Sequence, residues 1–398
     1  MKTKLLITFI AISEIANAQG SWTQKANFGG TGRAGAVAFS IGTKGYIGTG
    51  TEGGGSSGPN KNDFWEWDQL TDTWTQRANF AGTARSYAVG FSIGTKGYIG
   101  TGYDGTDKKN DFWEWNQSNN TWIQKASFGG TARYCAVGFS INTKGYIGTG
   151  YDDNNGSTKK DFWEWDQASD TWTQKANLGG SVRGEAIGFS IGSKGYIGTG
   201  NDSSALLKKD FLEWDQTTDV WTPKADFGGT ARRNALGFSI GTKGYIGTGT
   251  DGNSDKDFWE WDQSNNTWSQ KTNFGGTSRS QSIGFSIGAK GYIGTGGNAT
   301  KDFWEFDPTV TGINEVNLDN LISVYPNPAS DFATISIDNV NNVNTTLNIY
   351  SIKGELIRTE TLQPNQKQIN VKDLSTGIYT VELKSKEGSK KQKIVIQR

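Results

Sequence analysis

The chain has 398 residues, 40 basic against 40 acidic side chains, 55 glycines and an aromatic fraction of 12%. The balanced charge excludes the broad positive field with which proteins attract nucleic acid or an anionic membrane. The single cysteine, Cys135, excludes an intramolecular disulfide. Because the sequence has no histidine, the commonest general base and metal ligand is missing, and we predict no cofactor and no metal site.

The first eighteen residues have the pattern of a secretory signal peptide. Two lysines precede an apolar run from Leu5 to Ile12, and a small-x-small cleavage site ends at Ala18. No other segment approaches the roughly 18 to 20 apolar residues that are needed to span a bilayer. We therefore expect residues 1–18 to be removed and the mature chain, from Gln19, to be exported without a membrane span.

A lysine-led motif, Lys-Gly-Tyr-Ile-Gly, recurs six times and divides most of the chain into units. Its lysines are 52, 48, 50, 49 and 47 residues apart, and six tryptophans from Trp22 to Trp268 keep the same intervals. A period of about fifty residues is typical of four-stranded propeller blades. The lysines are Lys44, Lys96, Lys144, Lys194, Lys243 and Lys290.

Within each unit, alternating apolar and polar residues predict four strands. In the second unit these are residues 88–93, 97–100, 111–115 and 121–125. The turn between the first two strands begins with Gly in five units and with Asn142 in the third, an exchange that indicates positive φ. Bulky rings point to both sides of the third strand, so we expect both faces of each blade to be covered. The alternative is that these rings form carbohydrate platforms.

The two ends of the array predict how the ring closes. The array begins with a lone fourth strand, residues 21–26, and ends with a lone third strand, Asp302–Phe306. Pairing of these strands would complete the last blade and remove an open sheet edge. The prediction is an all-β, six-bladed propeller over residues 19–308.

The repeat resembles a known family. The order Arg, Gly-Tyr-Ile-Gly-x-Gly, Asp-Phe-Trp-x-Trp-Asp and a final Trp, over residues 21–308, is similar to the kelch repeat of galactose-oxidase-like propellers. The double glycine of that family appears here as Gly-Thr-Gly, for example Gly48-Thr49-Gly50. The resemblance implies a kelch-like propeller of a group that consists mostly of binding modules, with a minority of copper oxidases and sialic-acid mutarotases. The histidine ligands of the copper enzymes have no counterpart.

The composition changes after Pro308, where tryptophan disappears. Residues 309–320 read as a polar linker, and short strands separated by turns then predict a small immunoglobulin-like β-sandwich of about seven strands. Motifs such as Val324-Tyr325-Pro326-Asn327-Pro328 and Leu374–Tyr379 resemble the C-terminal sorting domain (type A) of the type IX secretion system of Bacteroidetes, over residues 321–398. The resemblance implies that the secretion machinery is a partner and that the protein is secreted or displayed on the outer membrane. A sugar-binding sandwich is the alternative.

Two variable zones are expected on one face of the propeller. In an up-and-down blade, the loop between strands two and three (loop 2–3) and the loop between blades (loop 4–1) emerge on the same side. Loop 2–3 is Gly-rich over residues 51–62, acidic over residues 152–156 and apolar over residues 205–207. The entry to the first strand also varies, beside a repeated arginine. Loops that differ on a repeated scaffold favour a binding face.

Twelve residues on this face are candidates for binding. Those that occur in one unit only would stack on or orient a ligand; they are Tyr87, Tyr134, Glu185, Arg233, Asn234 and Gln281. One arginine recurs in each blade and would either bind carboxylates and phosphates or pair with a neighbouring acid as a structural clamp. These are Arg33, Arg85, Arg133, Arg183, Arg232 and Arg279.

The sequence thus predicts a secreted or cell-surface module that binds an extracellular glycan or protein. The first alternative is a carbohydrate-active enzyme such as a sugar (sialic acid) mutarotase, with Glu185 as an acid-base group and an arginine holding an anion. The second is a purely structural surface protein. The acidic segments 152–156 and 251–255 could supply calcium ligands, but their spacing differs from that of an EF-hand, so we expect solvated loops.

Overall fold

The computed structural model describes residues 19–53, 58–152, 157–309, 322–337, 345–362, 368–385 and 388–398. The predicted signal peptide, the linker from residue 310 onward and the tip of one acidic loop, residues 153–156, lie outside these ranges. Within them the chain contains strands, one short 3-10 turn at Gly297–Ala299 and no α-helix. The described part therefore has no helix of the length and apolarity that crossing a membrane requires.

The strands up to residue 307 follow the predicted period. In chain order they are β1 (Ser21–Lys25), β2 (Arg33–Ala34), β3 (Val37–Ile41), β4 (Lys44–Gly48), β5 (Thr51–Glu52), β6 (Phe64–Asp68), β7 (Thr73–Arg77), β8 (Val89–Ile93), β9 (Lys96–Gly100), β10 (Phe112–Asn116), β11 (Thr121–Lys125), β12 (Arg133–Tyr134), β13 (Val137–Ile141), β14 (Lys144–Gly148), β15 (Tyr151–Asp152), β16 (Phe162–Asp166), β17 (Thr171–Lys175), β18 (Ile187–Ile191), β19 (Lys194–Gly198), β20 (Phe211–Asp215), β21 (Val220–Pro223), β22 (Leu236–Ile240), β23 (Lys243–Gly247), β24 (Phe258–Asp262), β25 (Thr267–Lys271), β26 (Ile283–Ile287), β27 (Lys290–Gly294) and β28 (Phe303–Asp307).

Six antiparallel four-stranded sheets form the blades of a propeller, which confirms the predicted fold class. From the innermost strand outward they are β3-β4-β6-β7, β8-β9-β10-β11, β13-β14-β16-β17, β18-β19-β20-β21, β22-β23-β24-β25 and β26-β27-β28-β1. In the last blade β1 pairs with β28, placing Ser21 opposite Asp307 and Lys25 opposite Phe303. The innermost strands contact one another in sequence, and β26 contacts β3, so the ring is closed.

Small residues let the innermost strands of neighbouring blades approach one another closely. In β18 a Cβ on Gly188 would lie 2.0 Å from Cγ1 of Val137 in the preceding blade. The turn after each innermost strand has the positive φ that the Gly and Asn exchange predicts, 58° at Gly94 and 54° at Asn142. Glycine is thus needed for packing in the strand and for backbone conformation in the turn.

The aromatic residues of the third strand form the cores between blades. Trp115 of blade two is fully buried, with ring centroids 4.9 Å from Tyr46 and 5.1 Å from Phe64 in blade one. Its indole N–H donates to Asn120 Oδ1 at 3.2 Å. The equivalent Trp67, Trp165, Trp214 and Trp261 are also buried. For these five rings the recurrence is explained by packing, not by a carbohydrate platform.

A polar link also joins most neighbouring blades. The Tyr46 hydroxyl donates to Glu66 at 2.9 Å in its own blade and accepts from Gln117 of blade two at 2.7 Å. The same glutamine-to-tyrosine bond recurs at four other interfaces. At the interface between blades five and six the glutamine position is Pro308, so the proline cannot provide that bond.

The tail forms a second compact unit, Ile313–Arg398. Its strands are β29 (Ile322–Tyr325), β30 (Phe332–Ile337), β31 (Thr345–Ser351), β32 (Leu356–Leu362), β33 (Gln368–Asn370), β34 (Gly377–Ser385) and β35 (Gly388–Ile396). They build a three-stranded sheet, β29-β30-β33, and a four-stranded sheet, β32-β31-β34-β35. Buried residues from both sheets, among them Ala333, Leu347, Ile369 and Ile394, share one core, as in a small β-sandwich.

Candidate functional site

A ring of backbone hydrogen bonds surrounds the mouth of the central channel. Each blade contributes the residue two positions after its repeated arginine, and the N–H of that residue donates to the equivalent carbonyl of the preceding blade at 2.8 to 3.2 Å. All six have φ between 53° and 59°. The ring residues are Gly35, Tyr87, Cys135, Glu185, Asn234 and Gln281. The backbone is the same in all six blades, so only the side chains distinguish them.

The ring residues line a shallow cavity of about 150 Å³ on the axis. The next layer inward consists of five alanines and Ser282, and a second cavity of about 160 Å³ continues between the innermost strands. Deeper still, serine hydroxyls such as that of Ser92 donate to the serine carbonyl of the preceding blade, here Ser40 at 2.7 Å. The side chains of the inner layers are small and nearly the same in every blade. The side chains that differ between blades are therefore those at the mouth of the channel.

Tyr87 is the largest side chain in the ring and covers part of the mouth. Its aromatic ring lies over Gly35, where a Cβ would be 2.9 Å from Cε1 of the tyrosine. Burial, together with the negative charges of Cys135 and Glu185 when they are ionised, raises the pKa of Tyr87 to about 12, although a hydrogen bond with Gln281 opposes the shift. The hydroxyl is therefore a neutral hydrogen-bonding group at physiological pH.

Two of the predicted residues, Tyr134 and Arg233, precede the ring by one position and lie beside loop 2–3. A backbone bridge joins Tyr134 to Tyr151, and another joins Arg233 to Thr250. Arg233 Nη1 donates to Glu185 Oε2 at 3.0 Å, and the arginine side chain is 45% exposed whereas that of Glu185 is 15% exposed. The two variable zones are therefore in contact on one face of the propeller.

Four tyrosines form a cluster on this face, which we call the tyrosine arc: Tyr87, Tyr103, Tyr134 and Tyr151. The centroid of Tyr134 is 6.2 Å from that of Tyr87, 6.0 Å from that of Tyr103 and 5.4 Å from that of Tyr151. The Tyr151 hydroxyl donates to Asn201 Oδ1 at 2.7 Å. All four rings are partly exposed. The arc belongs to blades two and three, so the face is asymmetric.

The six repeated arginines lie inside the wall of the propeller. Their side chains are at most 1% exposed, and each is paired with the aspartate that precedes the third strand. Arg133, for example, binds Asp161 in bidentate fashion at 2.6 and 2.8 Å and donates to the Thr149 carbonyl at 3.0 Å. Burial and pairing match the structural clamp, and these arginines do not face the channel mouth.

The clamp also affects the acids. Burial acts to raise the pKa of Asp111, but the hydrogen bonds and charge of Arg85 outweigh it, so that the pKa lies below the usual value. The same balance lowers the pKa of Asp63, Asp161 and Asp302. These aspartates are therefore ionised at neutral pH, and as carboxylates they hold the arginines in the wall.

Four residues of this face are not among the predicted binding residues, although Gly35 and Cys135 belong to the strand entry that was predicted to vary: Gly35, Cys135, Tyr103 and Tyr151. Gly35 and Cys135 belong to the backbone ring, and burial holds the pKa of Cys135 well above that of a free thiol. Both tyrosines follow a Gly-Thr-Gly motif directly, where the other units have Thr, Asn or Gly. Aligning that single position across the six units would have identified them.

The acids of loop 2–3 are mostly paired with lysines. Lys109 binds Asp104 at 2.6 Å, and Asp152, in the segment considered for calcium, accepts from Lys159 at 2.7 Å. Blade five has Asp255 at the lysine position. Within the described ranges, no three His, Cys, Asp or Glu side chains are grouped as a metal site.

Comparison with known proteins supports two parts of this description. A family model described as the secretion system C-terminal sorting domain matches residues 323–397, and no curated protein matches the chain. A solved structure titled "Structure of YjhT" is similar with a TM-score of 0.60 and 15% identity, over 71% of this chain and 95% of that chain. At this identity the likeness concerns the fold alone. The chain is a β-propeller of six blades followed by a C-terminal sorting domain of the type IX secretion system.

Proposed function

We propose that the protein binds an extracellular glycan or protein through the face formed by loop 2–3 and the strand entries. Residues 1–18 act as a signal peptide that is cleaved near Ala18, residues 19–308 form the kelch-like binding propeller, residues 309–320 are a linker, and residues 321–398 serve export. The mature protein is then either released or retained at the outer-membrane surface. The type IX machinery is the partner of the tail.

The observation that carries this proposal is the asymmetric clustering of side chains that occur only once. The repeated residues are used in the blade cores and the arginine clamps. The tyrosine arc and the Arg233 to Glu185 pair lie on one face, and each contributes one residue, Tyr87 and Glu185, to the lining of the cavity. Partly exposed aromatic rings beside polar groups of fixed orientation are what ligand sites need. The proposed binding surface consists of Tyr87, Tyr134, Glu185, Arg233, Asn234 and Gln281, together with Tyr103 and Tyr151.

The contacts favour binding over catalysis. One oxygen of Glu185 accepts the Arg233 hydrogen bond at 3.0 Å. The other titratable side chains lining the cavity, Tyr87 and Cys135, both have a pKa that burial raises, to about 12 in the case of Tyr87. A general acid-base pair needs groups that exchange protons near the working pH. Neither Tyr87 nor Cys135 meets this requirement, so the described lining offers Glu185 no partner for such a pair.

An array of neutral and acidic glycans tests the proposal. The protein without residues 1–18 is applied beside Tyr134→Ala and Arg233→Ala, which remove the centre of the tyrosine arc and the exposed cation. Ile123→Ala is the control, because Ile123 is 52% exposed on the outer strand β11. We expect selective binding that both site variants weaken about tenfold or more, as loss of a contact worth about 1.4 kcal/mol would.

The results separate the parts of the proposal. If the folded protein bound no glycan on the array, the glycan alternative of the proposal would be contradicted and an extracellular protein would be the remaining ligand class to test. Binding that survives both substitutions would contradict the assigned face.

A further inference from the structure

The charges around the cavity distinguish between classes of ligand. Among the described residues that line the cavity at the mouth, Glu185 is the one charged residue. Its partner Arg233 is outside the lining, bonded to the carboxylate at 3.0 Å. The other polar side chains are the amides of Asn234 and Gln281 and the hydroxyls of Tyr87 and Ser282. The mouth thus has uncharged donors and acceptors and a single carboxylate.

The arginines near the axis and two lysines of loop 2–3 are paired with neighbouring acids, and Nζ of Lys108 lies 5.6 Å from the centroid of the Tyr134 ring. The repeated arginines are paired with aspartates within the wall, where their side chains are at most 1% exposed. In the loops, Lys109 is bound to Asp104 at 2.6 Å and Lys208 to Asp202 at 2.7 Å. A carboxylate that entered the cavity would face Glu185 without a cation in the described lining. Desolvation of such an unpaired anion is costly, and repulsion by a like charge adds to the cost.

A neutral sugar ring can enter the cavity without the cost that a carboxylate would have. Its hydroxyl groups both donate and accept, so they match the two amides, the hydroxyls and the free lone pairs of the carboxylate. The cavity, at about 150 Å³, is smaller than the roughly 300 to 1,000 Å³ of sites that enclose drug-sized ligands, which favours one ring over a larger group. The apolar side of that ring would lie against Tyr87.

We infer that the ligand of this face is an uncharged saccharide, with one hexose ring seated at the channel mouth and Glu185 acting to exclude acidic sugars. This inference rests on the proposed function and narrows it. A site for an acidic sugar would require an arginine directed into the cavity, with bidentate geometry toward a carboxylate. Here the seven arginines beside the axis are each engaged by an acid.

The test compares sugars that differ at one carbon. The methyl glycosides of glucose, galactose and mannose are titrated against the chain without residues 1–18 by ligand-observed NMR, each beside its uronic acid, which has a carboxylate at C6. We expect at least one neutral hexoside to bind, and its uronate to bind about tenfold or more weakly. Tyr87→Phe and Asn234→Ala should lower the affinity for the hexoside, because each substitution removes a hydrogen-bonding group at the mouth.

Glu185→Gln is the decisive variant, since it keeps the shape of the side chain and removes its charge. It should raise the affinity for the uronate relative to that for its hexoside by about tenfold, because the repulsion disappears and Arg233, no longer paired with a carboxylate of the protein, can pair with that of the uronate. Near-ultraviolet circular dichroism checks that each variant is folded.

Three outcomes would overturn the inference. Uronate binding that equals or exceeds hexoside binding and is lost in Arg233→Ala would do so while leaving the proposed binding face intact. Binding of none of the sugars would overturn it as well. Hexoside binding that is unchanged in Tyr87→Phe, Asn234→Ala and Tyr134→Ala would overturn both the inference and the proposed face.

Discussion

The aromatic ring of Tyr87 lies over the backbone of Gly35, and the two residues are also neighbours in the ring of backbone hydrogen bonds. The Tyr87 N–H donates to the Gly35 carbonyl at 2.8 Å, and a Cβ on Gly35 would be 2.9 Å from Cε1 of the tyrosine. Because Gly35 has no side chain, the ring of Tyr87 can lie over it and the Tyr87 hydroxyl can form a hydrogen bond with Gln281. This pair connects the conformation of one glycine to the shape of the candidate site.

Gly35→Ala should therefore both destabilise the protein and displace Tyr87. The control is Gly42→Ala, because Gly42 has φ of 58°, against 59° for Gly35, and has nothing within 4 Å of an added Cβ. Each substitution should cost about 1 to 2 kcal/mol for alanine at positive φ, and Gly35→Ala should cost more because of the steric clash. Urea unfolding measures the difference.

The extra cost at Gly35 should disappear when Tyr87 is replaced by alanine, since the clashing ring is then gone. Equal costs of Gly35→Ala in the two backgrounds would contradict the contact.

Arg85→Ala should be severely destabilising. The arginine is buried and binds Asp111 with two hydrogen bonds, at 2.5 and 2.8 Å. Removing one partner of a buried ion pair leaves the other charge uncompensated, at a cost of about 3 to 5 kcal/mol. Arg233→Ala is the comparison, because that arginine is 45% exposed and should contribute less than about 1 kcal/mol. Denaturant midpoints measure the loss of stability in both variants. A loss in Arg85→Ala that is as small as the one expected for Arg233→Ala would mean that the clamp does not stabilise the fold.

The same clamp should make the protein sensitive to acid. Because the folded-state pKa of Asp111 lies below the usual 3.8, its contribution is complete above that pH and is lost as the pH falls through the folded-state value. In Asp111→Asn the free energy of unfolding should decrease less steeply between about pH 5 and pH 2.5 than in the unmodified protein. Chemical denaturation at several pH values provides the comparison.

Asp255→Asn should act with the opposite sign. Burial and the nearby Asp251 and Asp257 raise the pKa of Asp255, although Arg232 opposes the shift. A carboxyl group whose pKa is raised by folding destabilises the protein as the pH increases, so its removal should steepen the loss of stability in acid. If both variants changed the pH dependence in the same direction, the assigned interactions would be wrong.

The seam between blades five and six should be the place where the ring opens first. Trp22 of β1 packs against Phe258, Phe274 and Phe306, with centroids 4.9 to 5.1 Å away, and its indole N–H donates to the Thr272 carbonyl. Trp22→Ala should cost about 3 to 5 kcal/mol and should accelerate amide hydrogen exchange selectively in β1 and β28. Within blade six, no turn joins the third strand, β28, to the fourth strand, β1, whereas a turn joins these two strands in each other blade.

Trp74→Ala is the matched control, because Trp74 has the same position in blade one, on a strand joined to β6 by a short turn. Its strand should exchange only with global unfolding. Equally selective exchange around Trp74 would show that the covalent turn does not matter.

The propeller could be read from the sequence because it is specified by local patterns. The Lys-Gly-Tyr-Ile-Gly motif, the alternation within each strand and the Gly or Asn at the first turn each depend on a few consecutive residues, and the recurrence of the motif about every fifty residues gives the number of blades. Rings on both sides of the third strand predicted blades covered on both faces, and Trp115 is buried in that way. The motifs of the tail were similarly local.

The arrangement of the candidate site could not be read in this way. The sequence left open whether the repeated arginines face the axis, and it did not group Tyr103 and Tyr151 with Tyr134. Those answers depend on how each strand entry curves against loop 2–3 of its own blade and against the ring residue of the preceding blade. The sequence alone determined the number and kind of blades, because these follow from short-range patterns. The tertiary structure decided which singular side chains meet at the axis, because their contacts join residues from different blades, about fifty or more positions apart in the chain.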